Sequence, residues 1–149
     1  MEEILLSQYT KPQRRPSLYP IRMLLICGIP NAGKTTYSAR FENVLHLDDF
    51  DKKPSQYKNC IRAAGEAEGD VVVEGVFNTA KKRRDLLEAV KDKPFRKVCI
   101  WLDTPTDICL LRERNYRKRS DHLVLSNAER FQPPTYDEGW DKIIRITAE

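Results

Sequence analysis

The run Gly28-Ile29-Pro30-Asn31-Ala32-Gly33-Lys34-Thr35 constrains this chain more than any other stretch, because few backbones satisfy it. The spacing is G-x-x-x-x-G-K-[ST], whose glycines permit a turn tight enough to aim several N–H groups at one anion. The lysine after the second glycine supplies positive charge for β- and γ-phosphates, and the next hydroxyl is placed to ligate Mg²⁺. Before the loop, Arg22-Met-Leu-Leu-Ile-Cys27 reads as a buried parallel strand. After it, Thr36–Phe41 reads as helix, whose positive end points at the same phosphates. Strand, glycine loop and helix together predict binding of a nucleoside triphosphate, ATP being the natural candidate. The candidate binding residues are Gly28, Asn31, Ala32, Gly33, Lys34, Thr35 and Thr36.

The rest of the chain alternates. Strands are expected at 22–27, 43–47, 70–75, 97–102 and 142–147, with helices at 33–42, 55–68, 79–92 and 105–118. Thr104 or Thr106 is expected to cap the last of these helices, with Pro105 in its first turn. Branched apolar strands separated by helices mean βαβ units, an α/β fold with a parallel sheet and helices on both faces. At 149 residues the chain suits one domain able to bury its own core. Residues 1–20, with Pro12, Pro16 and Pro20 among polar neighbours, read as an N-terminal arm, leaving 21–149 as the folded domain.

Composition narrows the class. Apolar residues make up 40% and charged residues 32%, the balance of a soluble globular protein. No apolar run approaches the ~20 residues of a membrane span. The four cysteines are scattered and only two histidines are present, which disfavours a zinc site or a disulfide framework and suits a reducing cytoplasm. The net charge of +4 is mild, but basic residues cluster at 11–15, 81–84 and 112–119, where polyanions would be favoured.

In a parallel α/β sheet, ligands sit beyond the carboxyl ends of the strands. The second strand ends in Asp48-Asp49, a pair from which a carboxylate could take the proton of an attacking hydroxyl. Val71-Val-Val-Glu74 ends the third strand with an acid suited to orienting Mg²⁺ or its water. The run Leu110-Leu-Arg-Glu-Arg-Asn-Tyr-Arg-Lys-Arg119 closes a helix with cations. They suit the negative end of its dipole, and an arginine there could also neutralise a phosphoryl-transfer transition state from a lid. Ser120-Asp-His-Leu123 would be a mobile segment beside it.

These parts resemble the P-loop kinases grouped around polynucleotide 5′-hydroxyl kinase. The resemblance spans about residues 22–147 and rests on the loop Gly28–Thr36, Leu47-Asp48-Asp49-Phe50, and Val71–Gly75 followed by Asn78 and Arg83-Arg84. It includes Arg114-Asn115-Tyr116-Arg117 and the tail Arg130-Phe-Gln-Pro-Pro-Thr135-Tyr-Asp-Glu138-Gly139-Trp140, similar to the closing Phe-x-x-Pro-Thr-x-x-Glu-Gly-Phe run of that family. The resemblance implies a five-stranded sheet in the order 2-3-1-4-5 with 22–27 central. It implies that Lys34 and Thr35 hold ATP·Mg²⁺ with Glu74 beside the metal, that Asp48 is the general base, and that Arg114 or Arg117 reaches the phosphates. The acceptor would be the 5′-hydroxyl of a nucleic acid.

Leu47 and Asp51 depart from the family pattern, which places positive charge at both positions. A small-molecule kinase is therefore an alternative, and the Leu-Asp-Asp-Phe and Val-Glu-Gly wording is similar to nucleoside kinases of the uridine kinase group. A GTPase is disfavoured because no Asn/Thr-Lys-x-Asp tetrapeptide occurs. A degenerate ATP-binding module would leave Lys34, Thr35 and Asp48 without a purpose. A nucleic-acid-binding protein without chemistry would leave the phosphate loop unexplained.

Overall fold

The computed structural model describes residues 2–5, 21–50 and 55–147, with backbone alone considered at 2–5. Its strands are β1 (Glu2–Leu5), β2 (Arg22–Cys27), β3 (Val44–His46), β4 (Val71–Glu74), β5 (Arg96–Asp103) and β6 (Lys142–Thr147). Helices are α1 (Lys34–Ser38), α2 (Gln56–Gly65), α3 (Ala80–Ala89), α4 (Thr106–Arg112) and α5 (Asp121–Arg130).

All strand pairs are parallel, in the order β3-β4-β2-β5-β6-β1. The five expected strands thus take the 2-3-1-4-5 arrangement, with 22–27 central. The N-terminal arm differs from expectation. Glu2–Leu5 forms a sixth strand against β6, so this part of the N-terminal arm belongs to the sheet. Four residues carry no readable period, whereas the exposed ladder of β6 offers them backbone partners. The basic cluster at 11–15, the three arm prolines and Asp51 lie outside the described residues.

Period-2 alternation divides the core into two layers. Met23, Leu25 and Cys27 of β2 face one way, with Val71, Val73, Cys99 and Ile143, and are covered by Cys60 and Ala64 of α2 and Leu86 and Leu87 of α3. Leu24 and Ile26 face the other way, with Val72, Val98, Ile100 and Ile146, and are covered by Tyr37, Cys109 and Val124 from α1, α4 and α5. Both faces are apolar because helices cover both. Among the described residues no helix is long and apolar enough to cross a membrane.

Several boundaries moved for local reasons. α1 ends at Ser38, whose hydroxyl donates to the Thr35 carbonyl at 2.8 Å and diverts the chain into turns. Asn43 takes φ 57°, so β3 begins after it and yields at once to a 3₁₀ turn over Leu47–Asp49. The cap expected from Thr104 or Thr106 is absent: Pro105 occupies the N-cap, and the Thr104 hydroxyl donates instead to the Ala32 carbonyl at 2.8 Å. Beyond α4 the chain makes a π-helical turn, Glu113–Arg117. The segment expected to be mobile starts α5, with Ser120 Oγ accepting from the His122 N–H at 3.1 Å as its cap.

Candidate functional site

The phosphate loop leaves the carboxyl end of the central strand, where neighbouring connections part to either side of the sheet. Two glycines are obligatory there. A Cβ on Gly28 would lie 2.8 Å from the Leu102 carbonyl oxygen, and Gly33 has φ 101°. Gly28 is not among the residues lining the cleft of about 660 Å³, whereas Asn31, Ala32, Gly33, Lys34, Thr35 and Thr36 are.

Lys34 is buried and donates to the Ile29 carbonyl at 2.8 Å. Burial holds its pKa below the usual lysine range, against the opposing pull of Glu74 and, more weakly, Asp48. A desolvated ammonium in this position gains strongly from an anion. Thr35 Oγ1 donates to Glu74 Oε1 at 2.8 Å, which brings together the two residues read from the sequence as metal-directed. The parallel register sets this contact, because Glu74 ends β4 directly beside Ile26 of β2. On the other side of β4, His46 Nδ1 lies 3.5 Å from the same Glu74 oxygen.

The carboxylates of the second strand separate. The 3₁₀ turn leaves both exposed, yet Asp48 lines the cleft and Asp49 is not among its lining residues.

The arginine run also divides. Arg112, Arg117 and Arg119 line the cleft, with Arg40 from the turn after α1. Arg114 is outside the lining and points its guanidinium at Asp121, with an Nη2–Oδ2 distance of 2.8 Å. Of the two arginines singled out from the sequence, Arg117 alone reaches the cleft. Arg112 and Arg119 sat within the run but had no individual signal, since the π-helical turn decides which cations face inward. Arg112 Nη1 donates to the Asn31 carbonyl at 2.7 Å. Arg119 pairs with Glu113, a carboxylate that is only 1% exposed. Arg119 and, secondarily, Asn31 hold the Glu113 pKa down to about 2.

The tail 130–140 contributes no residue to the cleft lining. Arg83, fully buried, donates Nε to Glu138 Oε1 at 2.7 Å and Nη2 to Oε2 at 2.9 Å. Nη1 donates to the Phe77 carbonyl at 2.8 Å, and Nη2 donates also to the Gln132 carbonyl at 2.7 Å. Glu138 also accepts from Trp140 Nε1 at 3.0 Å. The motif that carried the family resemblance therefore fastens the tail to α3 and to the connection leaving β4.

No protein-family profile matches the chain. It is 24% identical over 144 residues to the L-seryl-tRNA(Sec) kinase of Methanococcus maripaludis, a match covering 80% of this chain and 56% of that protein. The chain thus spans about half the length of the curated relative it matches. Its fold is similar to those of solved kinases. A sugar kinase from Janibacter superposes with a TM-score of 0.64 at 16% identity, covering 85% of this chain and 86% of the other. The Mycobacterium tuberculosis APS kinase CysC, solved with AMPPNP and APS, superposes with a TM-score of 0.56 at 15% identity, covering 85% and 88%.

Proposed function

We propose that this chain is an ATP- and Mg²⁺-dependent kinase that transfers the γ-phosphoryl group to a hydroxyl carried on a nucleic acid, a polynucleotide 5′-hydroxyl above all. The observation that carries this reading is the convergence of Lys34, Thr35, Glu74, Asp48 and Arg117 on one cleft. Each has a place in phosphoryl transfer, which depends mainly on positioning and charge stabilisation. Lys34 meets the phosphates. Asp48 accepts the proton of the attacking hydroxyl and aligns it. Arg117 offsets charge that develops on the transferring group.

The donor set fits Mg²⁺. Thr35 Oγ1 and Glu74 Oε1 are hard oxygen donors 2.8 Å apart, and Mg²⁺ typically takes one or two protein oxygens and completes its shell with phosphates and water. When bound, the ion supplies charge neutralisation across the β- and γ-phosphates.

A nucleic-acid acceptor is supported by the four arginines at the cleft, by the family-like tail and by the likeness to the L-seryl-tRNA(Sec) kinase of Methanococcus maripaludis. Phosphates contacted by arginine release counterions, so such an acceptor binds more weakly as salt rises, whereas a small alcohol is nearly indifferent. The test is transfer from γ-labelled ATP to 5′-hydroxyl oligonucleotides, a serine-charged tRNA, nucleosides and sugars, with acceptor KM measured at low and high salt. Transfer to the nucleic-acid acceptors with a salt-dependent KM is expected. Equal efficiency on a free nucleoside or sugar with a flat salt response would replace this reading with a small-molecule kinase.

Asp48→Asn is expected to slow transfer by about 10²-fold or more while ATP affinity stays near its original value. Single-turnover rates and calorimetric ATP titration check the two halves separately. Retained turnover would move the base role to Asp49 or elsewhere.

A further inference from the structure

Asn31 joins the phosphate loop to the arginine segment through both ends of its side chain. Its Nδ2 donates to Glu113 Oε1 at 3.0 Å and to the Cys109 carbonyl at 3.2 Å, while its Oδ1 accepts from Arg119 Nη2 at 3.3 Å. Glu113 in turn holds Arg119 through Nη2 at 2.8 Å, through Nε at 3.3 Å and through the backbone N–H at 2.6 Å. The result is a closed triangle of amide, carboxylate and guanidinium at the edge of the cleft.

Two uncommon backbone features support the triangle. Asn31 sits at φ 69°, a left-handed conformation that most side chains avoid and that asparagine tolerates better than most. Glu113 begins the π-helical turn, which ends at Lys118 with φ 54°. Such insertions are rare in helices and concentrate at functional sites. Here the turn rotates Glu113 inward, away from solvent, and Arg119 onto the cleft wall.

We propose that Asn31 and Glu113 are positioning residues that fix the Arg119 guanidinium over the cleft, so that the phosphate loop itself aims one of the cations closing over the nucleotide. The role rests on the kinase reading above. Asparagine suits it because one amide both donates to the carboxylate and accepts from the guanidinium. Aspartate could accept from Arg119 but would set a second carboxylate against Glu113. Glu113 stays ionised far below neutral pH, so the triangle works as a permanent clamp. Its effect is on the reaction, because a small misplacement of a charge-stabilising group can cost orders of magnitude in rate.

The experiment is a double-mutant cycle on the full chain: Asn31→Gly, Arg119→Ala and the pair together. Glycine keeps the left-handed backbone and the Arg112 bond to the residue 31 carbonyl, and removes only the amide. Asn31→Asp is a second variant of nearly native size. Steady-state kinetics, calorimetric ATP affinity and melting temperature are measured for each. Arg119→Ala and Asn31→Gly should each lower kcat/KM for ATP by about 10-fold or more, and the double variant should fall no more than about twofold below Arg119→Ala. Asn31→Asp should lose as much as Asn31→Gly. Independent, multiplying losses, or wild-type kinetics for Asn31→Gly, would overturn the positioning role while leaving the kinase reading intact. A wild-type chain that neither binds ATP nor transfers phosphate would overturn both.

Discussion

Lys34→Met is expected to remove nucleotide binding without lowering the melting temperature. The Lys34 ammonium is buried, and desolvation holds its pKa below the usual lysine value. A lysine whose folded pKa lies below its unfolded value carries its charge in the folded state at a cost. At neutral pH, where the unfolded chain keeps that charge in water, the group subtracts from stability. Methionine fills similar space and needs no solvation. ATP affinity and kcat/KM should fall together, the latter by about 10³-fold, because the lost charge serves ground state and transition state alike. Thermal melts beside calorimetric ATP titration make the comparison. A variant that melts much lower yet still binds ATP would show Lys34 to be a structural group.

The largest loss of stability is expected at Arg83, which is not among the residues lining the cleft. Arg83 and Glu138, 55 residues apart, form a two-bond ion pair with no solvent at the guanidinium. The pair holds the Arg83 pKa above its ordinary value despite burial, and Arg83 with Trp140 holds Glu138 below its own. Arg83→Met strands a buried carboxylate and leaves the Phe77 and Gln132 carbonyls without this donor. Breaking one side of such a pair costs about 3–5 kcal/mol, which for a domain this size lowers the melting temperature by about 10 °C or more. The double variant Arg83→Met/Glu138→Leu should be less destabilised than Arg83→Met alone, because no uncompensated charge remains. Arg83→Lys should recover little, since an ammonium cannot make two parallel bonds and reach two carbonyls as well. A melt within a degree or two of wild type for Arg83→Met would show that water or local rearrangement satisfies Glu138.

The phosphate loop was legible in the residues alone because its requirements are local. Glycine at 28 and 33, lysine at 34 and threonine at 35 are needed within one turn of chain, and spacing alone specifies that. The strands were legible for a related reason: a parallel strand covered on both faces must be apolar nearly throughout, and β2 and β4 are buried along almost their whole length. Sheet order came through family resemblance, since period and composition carry no information on which strands adjoin.

Other assignments needed distances between residues far apart in the chain. Asp48 and Asp49 are chemically alike, and only the 3₁₀ turn puts one of them in the cleft wall. The arginine run offered several equivalent cations. A π-helical turn, with no sequence signature, pairs Arg114 with Asp121 and brings Arg117 and Arg119 to the cleft. Strand β1 exists through backbone pairing to an edge, a contact to which side-chain pattern contributes almost nothing. The glycine loop and the α/β class were thus readable from residues because their physics acts within a few positions of chain. Which acid and which arginines meet at the cleft depends on register and turn geometry summed over the whole fold, so no local pattern carries it.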